Sequence, residues 1–455
     1  MPASLMLFSR DLRLTDNPAL SAAVAAAPEV VPLFVLDDEL LARTARHASR
    51  LAFLHASLRD LDASLRDAGG ALAVRRGPWV PTVIETARET GVDTIHVADD
   101  FSAYARDRLG RLEAAAAAER MAVVRHPGVT VLAPGAVRPT GGDAYRVFTP
   151  YYRRWLAAPR RPLAARPARI TLPRRLRAGS VPGLGTLTSE RPTAGLQAGG
   201  ESAGLARLRA WTAAELAGYA GGRDDLAADR VSRLSAYLHL GCLSAGAIEA
   251  ELAGRTGSEP FVRQLAWRDF FHQVLADRPD AARRDYRDRG DEWRRDPDAL
   301  AAWQAGQTGF PVVDAGMRQL AAEGFMHNRA RMIVASFLTK DLYLDWRAGA
   351  AHFMRLLADG DVACNHLNWQ WVAGTGTDTN VHRVFNPTVQ GRRFDPDGSY
   401  VRRFVPELAG LAELAGLAGG VIHDPDAAAR RRCGYPAPLV DHRAAVASYR
   451  ARRRG

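Results

Sequence analysis

Short apolar segments alternate with longer helical segments over the first 131 residues, and this alternation restricts the possible folds more than any other feature of the chain. The apolar segments are 5–8, 30–36, 71–74, 94–97 and 121–124. Helical periodicity is predicted between them, at 18–26, 49–68, 81–90 and 104–120. Strands that alternate with helices predict a Rossmann-like, doubly wound parallel sheet.

The pattern changes twice after this sheet. Residues 135–204 are rich in proline, glycine and arginine, which predicts a long, basic and largely irregular connection. From residue 205 the strand patterns end, and helical periodicity continues to at least residue 359. The expected fold class is therefore α/β plus all-α. We expect an α/β domain at 1–131, an interdomain linker at 132–204 and a helical domain at 205–455.

Two helices of the second half stand out, at 259–276 and 314–338. On the first, Gln264, Trp267 and Arg268 are three and four residues apart, which brings an amide, an indole and a guanidinium near one face. The alanine-rich tail from residue 408 is expected to be a solvated helix whose basic end, 450–454, is frayed.

The charge balance indicates a polyanionic partner. The 455 residues include 61 Lys and Arg against 50 Asp and Glu, a formal net charge of +11, and Lys340 is the one lysine in the sequence. Nucleic acid is the first candidate, although surface solubility or a GC-rich genome would also account for the arginines.

Other bulk features bear on the compartment of the protein. The cysteines Cys242, Cys364 and Cys433 are widely spaced, so we expect neither a disulfide framework nor a cysteine metal cluster. No signal-peptide pattern and no apolar run of about 18 residues is found. We therefore expect a cytoplasmic protein without a membrane span.

Segment 359–371 mixes acidic, amide and indole side chains. Asp359 and Asp361 flank Gly360, and Trp369 and Trp371 close the segment. Buried carboxylates need partners and tryptophans are rarely left in water, which predicts a polar pocket inside an apolar domain. Two carboxylates at this spacing suit the hydroxyls of a sugar or a sugar alcohol. The alternative is a capped turn in which Asp359 starts a helix and Gly360 permits a tight approach, and the segment taken alone favours it.

A second candidate site is the Val-Ser-Arg-Leu-Ser sequence at 231–235, with Tyr219 twelve residues before Val231. Two hydroxyls, one arginine and the free amides of a helix start would form a phosphate cradle. The alternative is an ordinary helix cap, which is the more frequent reason for serines at this spacing.

Polar residues also follow the predicted strands, where ligands of doubly wound sheets gather. Arg10, Asp37 and Asp100 are examples, although loops after strands are polar in any such fold. No GxGxxG or Walker-type loop is present, so an ordinary dinucleotide site is not expected in this domain. The histidines form no HExxH motif and have no carboxylate partner at ligand spacing, so no metal is predicted.

Eight motifs, taken in chain order, resemble those of the DNA photolyase/cryptochrome family, and the resemblance covers nearly the whole chain. They are 8–17 (FSRDLRLTDN), 232–235 (SRLS), 267–271 (WRDFF), 309–320 (GFPVVDAGMRQL), 326–329 (MHNR), 359–361 (DGD), 368–371 (NWQW) and 375–378 (TGTD). The set looks like that of bacterial class I cyclobutane pyrimidine dimer photolyases of the deazaflavin-antenna type.

The resemblance implies an antenna domain, a long linker and a helical domain that holds a U-shaped FAD. The implied FAD-binding residues are Tyr219, Val231, Ser232, Arg233, Leu234, Ser235, Phe261, Gln264, Arg268, Asn328, Asp359, Gly360, Asp361 and Asn365. Asn365 is expected to face the reactive flavin nitrogen N5. The separate sugar and phosphate interpretations then describe one site.

The resemblance also implies light-driven repair of UV-damaged DNA by a monomer. Excited, fully reduced FAD gives an electron to a cyclobutane pyrimidine dimer that has been turned out of the duplex. Trp369, Trp346 and Trp303 match an electron-transfer chain from flavin to surface, and Gln264 lies beside the lesion. The implied DNA-binding residues are Trp267, Asn328, Arg329, Met332, Arg383 and Gln390.

For the antenna chromophore, Arg10, Phe34, Asp37 and Asp100 match positions of the deazaflavin-binding relatives, and His239 stands where one such relative has a lysine. The expected antenna is 8-hydroxy-5-deazaflavin, with methenyltetrahydrofolate or FMN as alternatives.

Three positions depart from the family pattern and keep other functions open. Gln264 replaces a glutamate of many cyclobutane photolyases, as it does in the (6-4) photolyases. Val231 replaces a threonine, at a cost of one hydrogen bond worth about 1 kcal/mol, and His366 alters the neighbourhood of Asn365. A (6-4) photolyase, a cryptochrome-type signalling protein and a general FAD oxidoreductase are the rival interpretations.

Overall fold

The computed structural model describes residues 2–44, 46–410 and 419–453. Its sheet is parallel, with strand order β3-β2-β1-β4-β5. The strands are β1 (Ala3–Phe8), β2 (Glu29–Asp37), β3 (Ala73–Gly77), β4 (Val92–Ala98) and β5 (Ala122–His126). The helices among them are α1 (Pro18–Ala26), α2 (Asp38–Thr44), α3 (Ala48–Asp67), α4 (Trp79–Thr90) and α5 (Ala103–Ala118). The predicted doubly wound domain is confirmed.

The two faces of this sheet serve different cores. Leu5 and Leu7 of β1 point to a cluster with apolar residues of α4 and α5. Met6 and Phe8, on the opposite face because strand side chains alternate, join a larger cluster with α1 and α3. That cluster continues into helices beyond residue 200, through residues such as Phe271. The sheet therefore shares one core with the second half of the chain.

The connection between the halves is irregular from 158 to 183, as predicted, but it contains a helix that the sequence analysis missed. Helix α6 (Phe148–Ala157) buries Phe148, Tyr151, Tyr152 and Trp155. Its proline and two arginines hid this aromatic face. The buried carboxylate of Asp269 accepts from the Trp155 indole at 3.0 Å and from two backbone amides after β5, which ties the segments together.

The second half of the described chain is built from helices and turns. The helices are α7 (Glu201–Ala214), α8 (Tyr219–Gly222), α9 (Ser235–Leu240), α10 (Ala245–Leu252), α11 (Glu259–Asp277), α12 (Pro297–Ala305), α13 (Pro311–Glu323), α14 (Asn328–Ser336), α15 (Trp346–Leu356), α16 (Val362–Ala373), α17 (Pro387–Phe394), α18 (Ser399–Phe404), α19 (Ala427–Cys433) and α20 (His442–Arg452). A π-helical turn, Phe337–Asp341, follows α14.

The single helix predicted at 314–338 was wrong, because two helices cover this range. Gly324 ends α13 in the left-handed conformation, with φ 61°, which glycine adopts without strain. The ring of His327 then accepts from the Arg329 amide at 3.1 Å and caps α14. The break places Asn328 at the start of a helix rather than in its middle.

The two halves meet at the carboxyl end of β1. Leu12 N donates to Leu240 O at 3.2 Å, and the buried Arg13 guanidinium donates to Gly241 O at 2.9 Å. Gly241 has φ 66°, and a Cβ there would lie 1.9 Å from Arg10 O. A glycine is therefore required where the sheet domain approaches the helical domain.

The tail differs from its prediction. Segment 411–420 lies outside the residues whose side chains are described. Most side chains of α20 are exposed, as predicted for a solvated helix, but its end is not frayed, because Tyr449 is 1% exposed and Arg453 pairs with Asp291 at 2.6 Å. Among the described helices, none is long and apolar enough to cross a membrane.

Candidate active site

A cavity of about 460 Å³ opens between the helices of the second half. Its walls come from the turn before α9, from α11, α14 and α16, and from the 357–361 turn. The predicted residues that line it are Tyr219, Val231, Ser232, Arg233, Leu234, Ser235, Phe261, Gln264, Trp267, Arg268, Asn328, Met332, Asp359, Asp361, Asn365 and Trp369. Its volume is in the usual range for small-molecule sites.

Asp359 presents an unpaired oxygen to this cavity. Its Oδ2 accepts from Arg331 at 2.8 Å, whereas Oδ1 is buried without a hydrogen-bond partner among the described residues. Burial raises the pKa of Asp359, but Arg331, the Ser235 hydroxyl and His239 together outweigh burial, so the pKa lies below its ordinary value. The residue is therefore an ionised acceptor that suits a ligand hydroxyl. Sequence reasoning missed Arg331, which lies at i+3 from Asn328.

Asp361 has a different environment. Its Oδ1 caps α16 by accepting from Cys364 N at 2.8 Å, and Arg10 of the sheet domain bonds Oδ2. His272 Nε2 lies 3.5 Å from the same Oδ2. Burial raises and Arg10 lowers the pKa of Asp361, which ends well below its ordinary value. The pocket interpretation of segment 359–371 therefore holds, because Asp359 and Asp361 both line the cavity. The alternative placed the helix cap at Asp359, whereas the residue that caps α16 is Asp361.

A cluster of possible metal ligands also includes Asp361. Donor atoms of His272, Asp361 and Cys364 lie within 4.8 Å of one another. The Arg10 guanidinium already neutralises the shared carboxylate, and burial followed by Asp361 raises the pKa of the Cys364 thiol well above its ordinary value. A cation would have to displace the arginine and deprotonate the thiol, so the cluster is a poor metal site.

The 231–235 turn is held in an uncommon conformation. Arg233 has φ 55°, in the left-handed region that non-glycine residues rarely adopt. Arg207 donates to the carbonyls of Ser232 and Val231 at 2.8 and 2.9 Å, and Gln197 donates to the Arg233 carbonyl at 3.2 Å. With the carbonyls tied to the protein, the Ser232 hydroxyl accepts from Leu234 N at 3.4 Å and keeps its own hydrogen for a ligand. Strain maintained by such contacts is typical of ligand sites.

Asn365, Gln264 and Arg268 differ in what they offer a ligand. The Asn365 amide nitrogen donates to Ala350 O at 3.0 Å, which leaves its oxygen toward the cavity. Gln264 makes one long bond, 3.4 Å, to Pro260 O on its own helix, so its carboxamide is largely unengaged. Arg268 instead donates to backbone carbonyls at Val129 and Leu238. Gly360 does not line the cavity, because the Arg50 guanidinium fills the space beside its Cα.

The tryptophans are arranged only partly as predicted. Trp369 lines the cavity, and Trp346 packs beside α16 with its ring 6.3 Å from that of His366. Trp303 contacts Trp369 at 5.9 Å between ring centroids but is fully buried, with its indole bonded to Val334 O. It cannot be the surface end of a chain, so that prediction was wrong.

Trp293 is the partly exposed tryptophan near Trp346. Arg294 N donates to Tyr343 O at 2.9 Å, and the Trp293 ring lies 5.1 Å from the Tyr343 ring. This places the segment of Trp293 beside Tyr343 and Leu344, which shortly precede Trp346. A Trp in an irregular segment with no helical period gave no signal in the sequence.

The cavity mouth carries Trp267. Its ring stacks on Phe148 of α6, with centroids 3.7 Å apart and planes 8° from parallel. One indole face is therefore covered by protein. Asn328 is exposed beside Met332, with 3.9 Å from Nδ2 to Sδ. These three predicted residues lie together, supported by an aromatic residue from the linker helix.

Three predicted DNA-binding residues lie outside the cavity lining. Arg329 pairs with Asp224 at 2.8 Å and lies over the Phe394 ring. Arg383 lies over the ring of Trp371, itself a lining residue, at 4.9 Å. Gln390 has a buried Oε1 without a partner in the described chain. Of the three, Arg383 is the one that contacts a lining residue directly.

The predicted antenna residues do not form one open site. Asp37 accepts from the Tyr104 hydroxyl at 2.5 Å and lies 3.6 Å from Arg108, and Phe34 is buried. Arg10 and Asp100 pair with each other at 3.2 Å, and Arg10 also reaches Asp361. Arg10 and Asp100, two of the four residues, therefore form ion pairs at the interface between the two domains.

The donor set of the cavity fits FAD. An ionised acceptor at Asp359 suits a ribityl hydroxyl, the hydroxyls of Ser232 and Ser235 suit phosphates, and the Asn365 oxygen suits an N–H at a ring edge. The apolar remainder, with Phe261, Phe353 and Trp369, suits an isoalloxazine ring.

Fold and cavity thus define a class, an α/β domain fused to a helical flavin-binding domain. A family model described as "FAD binding domain of DNA photolyase" matches residues 261–454, and one described as "DNA photolyase" matches residues 4–168. The chain belongs to the DNA photolyase family. It is 51% identical to a deoxyribodipyrimidine photo-lyase of Streptomyces griseus over 97% of each chain, and 33% identical to that of Escherichia coli over 100% of each.

Solved structures agree with this assignment. A bacterial class III photolyase from Agrobacterium tumefaciens has a TM-score of 0.91 and 34% identity, and covers 99% of this chain and 97% of its own. A Synechocystis cryptochrome has the same TM-score with 29% identity, covering 99% of each. The predicted fold, photo-lyase activity and FAD are confirmed, whereas the class I subtype and the antenna chromophore stay predictions.

Proposed function

We propose that this enzyme splits cyclobutane pyrimidine dimers in DNA with blue light, using FAD held in the cavity and the lesion at its mouth. The observation that carries this is the arrangement of the buried, unpaired Asp359 oxygen inside the cavity and the stacked Trp267 ring at its entrance. Membership of the photolyase family supports both halves of the proposal.

The residues of the cavity bind and orient the cofactor. Asp359 accepts a ribityl hydroxyl, Ser232 and Ser235 donate to phosphate oxygens, and Asn365 meets the ring edge at N5. Arg10 and Arg268 support these residues indirectly. Arg10 holds Asp361 by an ion pair, and Arg268 donates to the Leu238 carbonyl. When bound, reduced FAD supplies on excitation the electron that opens the cyclobutane ring.

For the lesion, the chain supplies a replacement for lost base stacking. A dimer is already poorly stacked, so turning it out of the duplex costs less than for intact bases. The free face of Trp267 receives one base, Met332 and Asn328 bound the other side, and Gln264 donates a hydrogen bond. Arg329, Arg383 and Gln390 contact the backbone, and the +11 charge adds sequence-independent attraction.

For electron supply, we assign Trp369 and Trp346 as inner members of a tryptophan route, with Trp293 in place of Trp303 at the surface. Trp293 is partly exposed and its segment runs beside Tyr343 and Leu344. The Trp346 indole donates to Asp285 at 2.8 Å, which gives its N–H a carboxylate partner.

The antenna chromophore and the photolyase subtype are the finer parts of this proposal. An 8-hydroxy-5-deazaflavin beside β1, β2 and β4 and a class I assignment are our proposals, with folate or FMN as alternatives. A relative from Sulfolobus tokodaii, with TM-score 0.87, is described with two FAD molecules, which adds a second flavin to the alternatives. Gln264 favours testing a (6-4) lesion as the second substrate.

The test uses oligonucleotides with a single cyclobutane thymine dimer or a single (6-4) photoproduct. Purified, reduced holoenzyme is expected to restore only the cyclobutane dimer, in blue light and not in darkness. Repair of only the (6-4) lesion would assign the other subtype. Failure on both, with FAD bound and reducible, would favour the cryptochrome-type function.

A further inference from the structure

The loop between α16 and α17, residues 374–386, carries Arg383 to the cavity mouth. Few of its own bonds hold it: Arg383 N donates to Asn380 O at 3.2 Å, and Asn380 N donates to the Asp378 carboxylate at 3.0 Å. A loop of this length would otherwise sample many conformations. Its placement therefore depends on what lies beneath it.

Lys340, the one lysine of the chain, lies beneath this loop. It belongs to the π-helical turn after α14, is 2% exposed, and its ammonium donates to the Arg383 carbonyl. No carboxylate lies at ion-pair distance from Lys340 in the part of the chain that the structure describes. The hydrogen bond to the Arg383 carbonyl is therefore the main polar contact of its ammonium. Burying an ammonium costs free energy when it has few partners. A lysine that is buried to bond a single carbonyl therefore indicates a function for that bond.

A second side chain holds the same loop from the C-terminal helix. The Tyr449 hydroxyl of α20 donates to Val381 O at 3.0 Å, and the Lys340 ammonium lies 5.5 Å from the Tyr449 ring centroid. Ser336, one turn before Lys340, accepts from Phe385 N at 3.2 Å. One side chain each from α14, the π-helical turn and α20 thus holds the loop, at Phe385, at Arg383 itself and at Val381.

We propose that Lys340 is a positioning residue for DNA binding, which with Tyr449 fixes the 374–386 loop so that the Arg383 guanidinium stays over Trp371 at the cavity mouth. This inference rests on the proposed function. Lys340 does not reach solvent, so it acts on DNA through Arg383. The surface of the enzyme can make its phosphate contacts with arginine, whereas this buried site uses the compact ammonium, whose three donors and flexible stem fit a narrow space.

The experiment measures dissociation constants of the holoenzyme for dimer-containing DNA in darkness, at several salt concentrations. Lys340→Met and Arg383→Ala are each expected to weaken binding about tenfold, as for loss of one charged hydrogen bond. Each should also lower the slope of log Kd against log salt concentration by about 1. The double variant should be no weaker than either single variant, because both remove one contact.

Two further variants keep the test decisive if Lys340→Met folds poorly. Lys340→Arg should restore part of the affinity, and Tyr449→Phe, which removes one hydroxyl, should weaken binding about threefold. Tyr237→Phe is the control, since it removes a buried hydroxyl that donates to Ala198 O at 2.7 Å, away from the loop. Its affinity should be unchanged.

A positioning role also predicts what stays constant. FAD content and the rate of repair of already bound dimer in one light flash should be unchanged in Lys340→Met. Additive effects of Lys340→Met and Arg383→Ala, or an unchanged Kd in Tyr449→Phe and Lys340→Met, would overturn the proposal. Wild-type protein that neither binds nor repairs dimer DNA would instead refute the function on which it rests.

Discussion

Arg10, at the carboxyl end of the first strand, forms an ion pair with Asp361, which caps the helix carrying Asn365 and Trp369. The two residues are 351 positions apart. Arg10 is further held by the His239 carbonyl at 2.9 Å and by Asp100. Burial lowers and these two carboxylates raise the pKa of Arg10, which ends above its ordinary value. The sheet domain thereby sets the position of the flavin-site helix.

Removal of Arg10 is expected to damage both stability and cofactor retention. Arg10→Gln leaves the buried Asp361 charge without its main partner, so the free energy of unfolding should fall by about 3 kcal/mol. FAD should dissociate faster from the variant. Denaturant unfolding and flavin fluorescence measure the two effects. Arg43→Gln is the control, because the Arg43–Glu39 pair is exposed and contributes little. Equal losses in both variants would contradict a special role for Arg10.

Three tryptophan variants distinguish the surface ends of the electron route. Trp369→Phe and Trp293→Phe should reduce photoreduction of the oxidised enzyme at least tenfold, because each interrupts the route to solvent. Trp303→Phe should retain most of the photoreduction rate, since its indole is buried. Absorbance of FAD under blue light with an external reductant is the measurement. A large loss of photoreduction in Trp303→Phe, with little loss in Trp293→Phe, would instead support Trp303 as the member of the chain that was predicted from the sequence.

The Phe148–Trp267 stack predicts a contribution of the linker helix to lesion binding. Trp267→Ala should weaken binding of dimer DNA by about 1–3 kcal/mol, the usual effect of losing one stacked base. Phe148→Leu should have a smaller effect in the same direction, by loosening the indole. Trp267→Phe keeps an aromatic face and should recover most of the affinity. Binding of undamaged DNA should change little, and a loss equal on both DNAs would argue against a stacking role.

Lys340 is expected to titrate near neutrality. Burial lowers the pKa of Lys340 from 10.5 to about 7, and Arg453 and Arg383 act in the same direction, while Asp378 and Asp341 oppose them. His442, the first residue of α20, hydrogen-bonds the Asp341 carboxylate. With lysine labelled by ¹³C, one side-chain signal should report this titration by NMR, because the sequence has one lysine.

The lowered pKa of Lys340 makes the free energy of unfolding depend on pH. Between pH 7 and about 10.5 the unfolded chain binds more protons at Lys340 than the folded chain, so its contribution to stability rises with pH. Below pH 7 the cost of burying the ammonium is fully present. Lys340→Met should remove this pH dependence, and a Lys340 signal that titrates near pH 10.5 would show that the residue is solvated.

The sequence predicted local patterns better than spatial partners. The strands and α1 were found because alternation and helical periods are local, and the cavity residues were found because their motifs are compact. Arg331 and Trp293 were missed since their roles depend on where a helix turns and how a loop runs beside α15. Arg10 was assigned to an antenna site because its partner Asp361 is remote in sequence. Helix α6 was hidden by proline and arginine within an aromatic face.

The core shared between the sheet and the helical half has a consequence for how such enzymes diversify. Met6, Leu58, Leu208 and Phe271 belong to one apolar cluster, and Gly241 leaves no room between the two halves. Exchanging the first domain for that of a relative would require matched changes along this whole contact. New antenna chromophores are therefore more readily acquired by substitutions in the strand-end loops than by transfer of a complete domain.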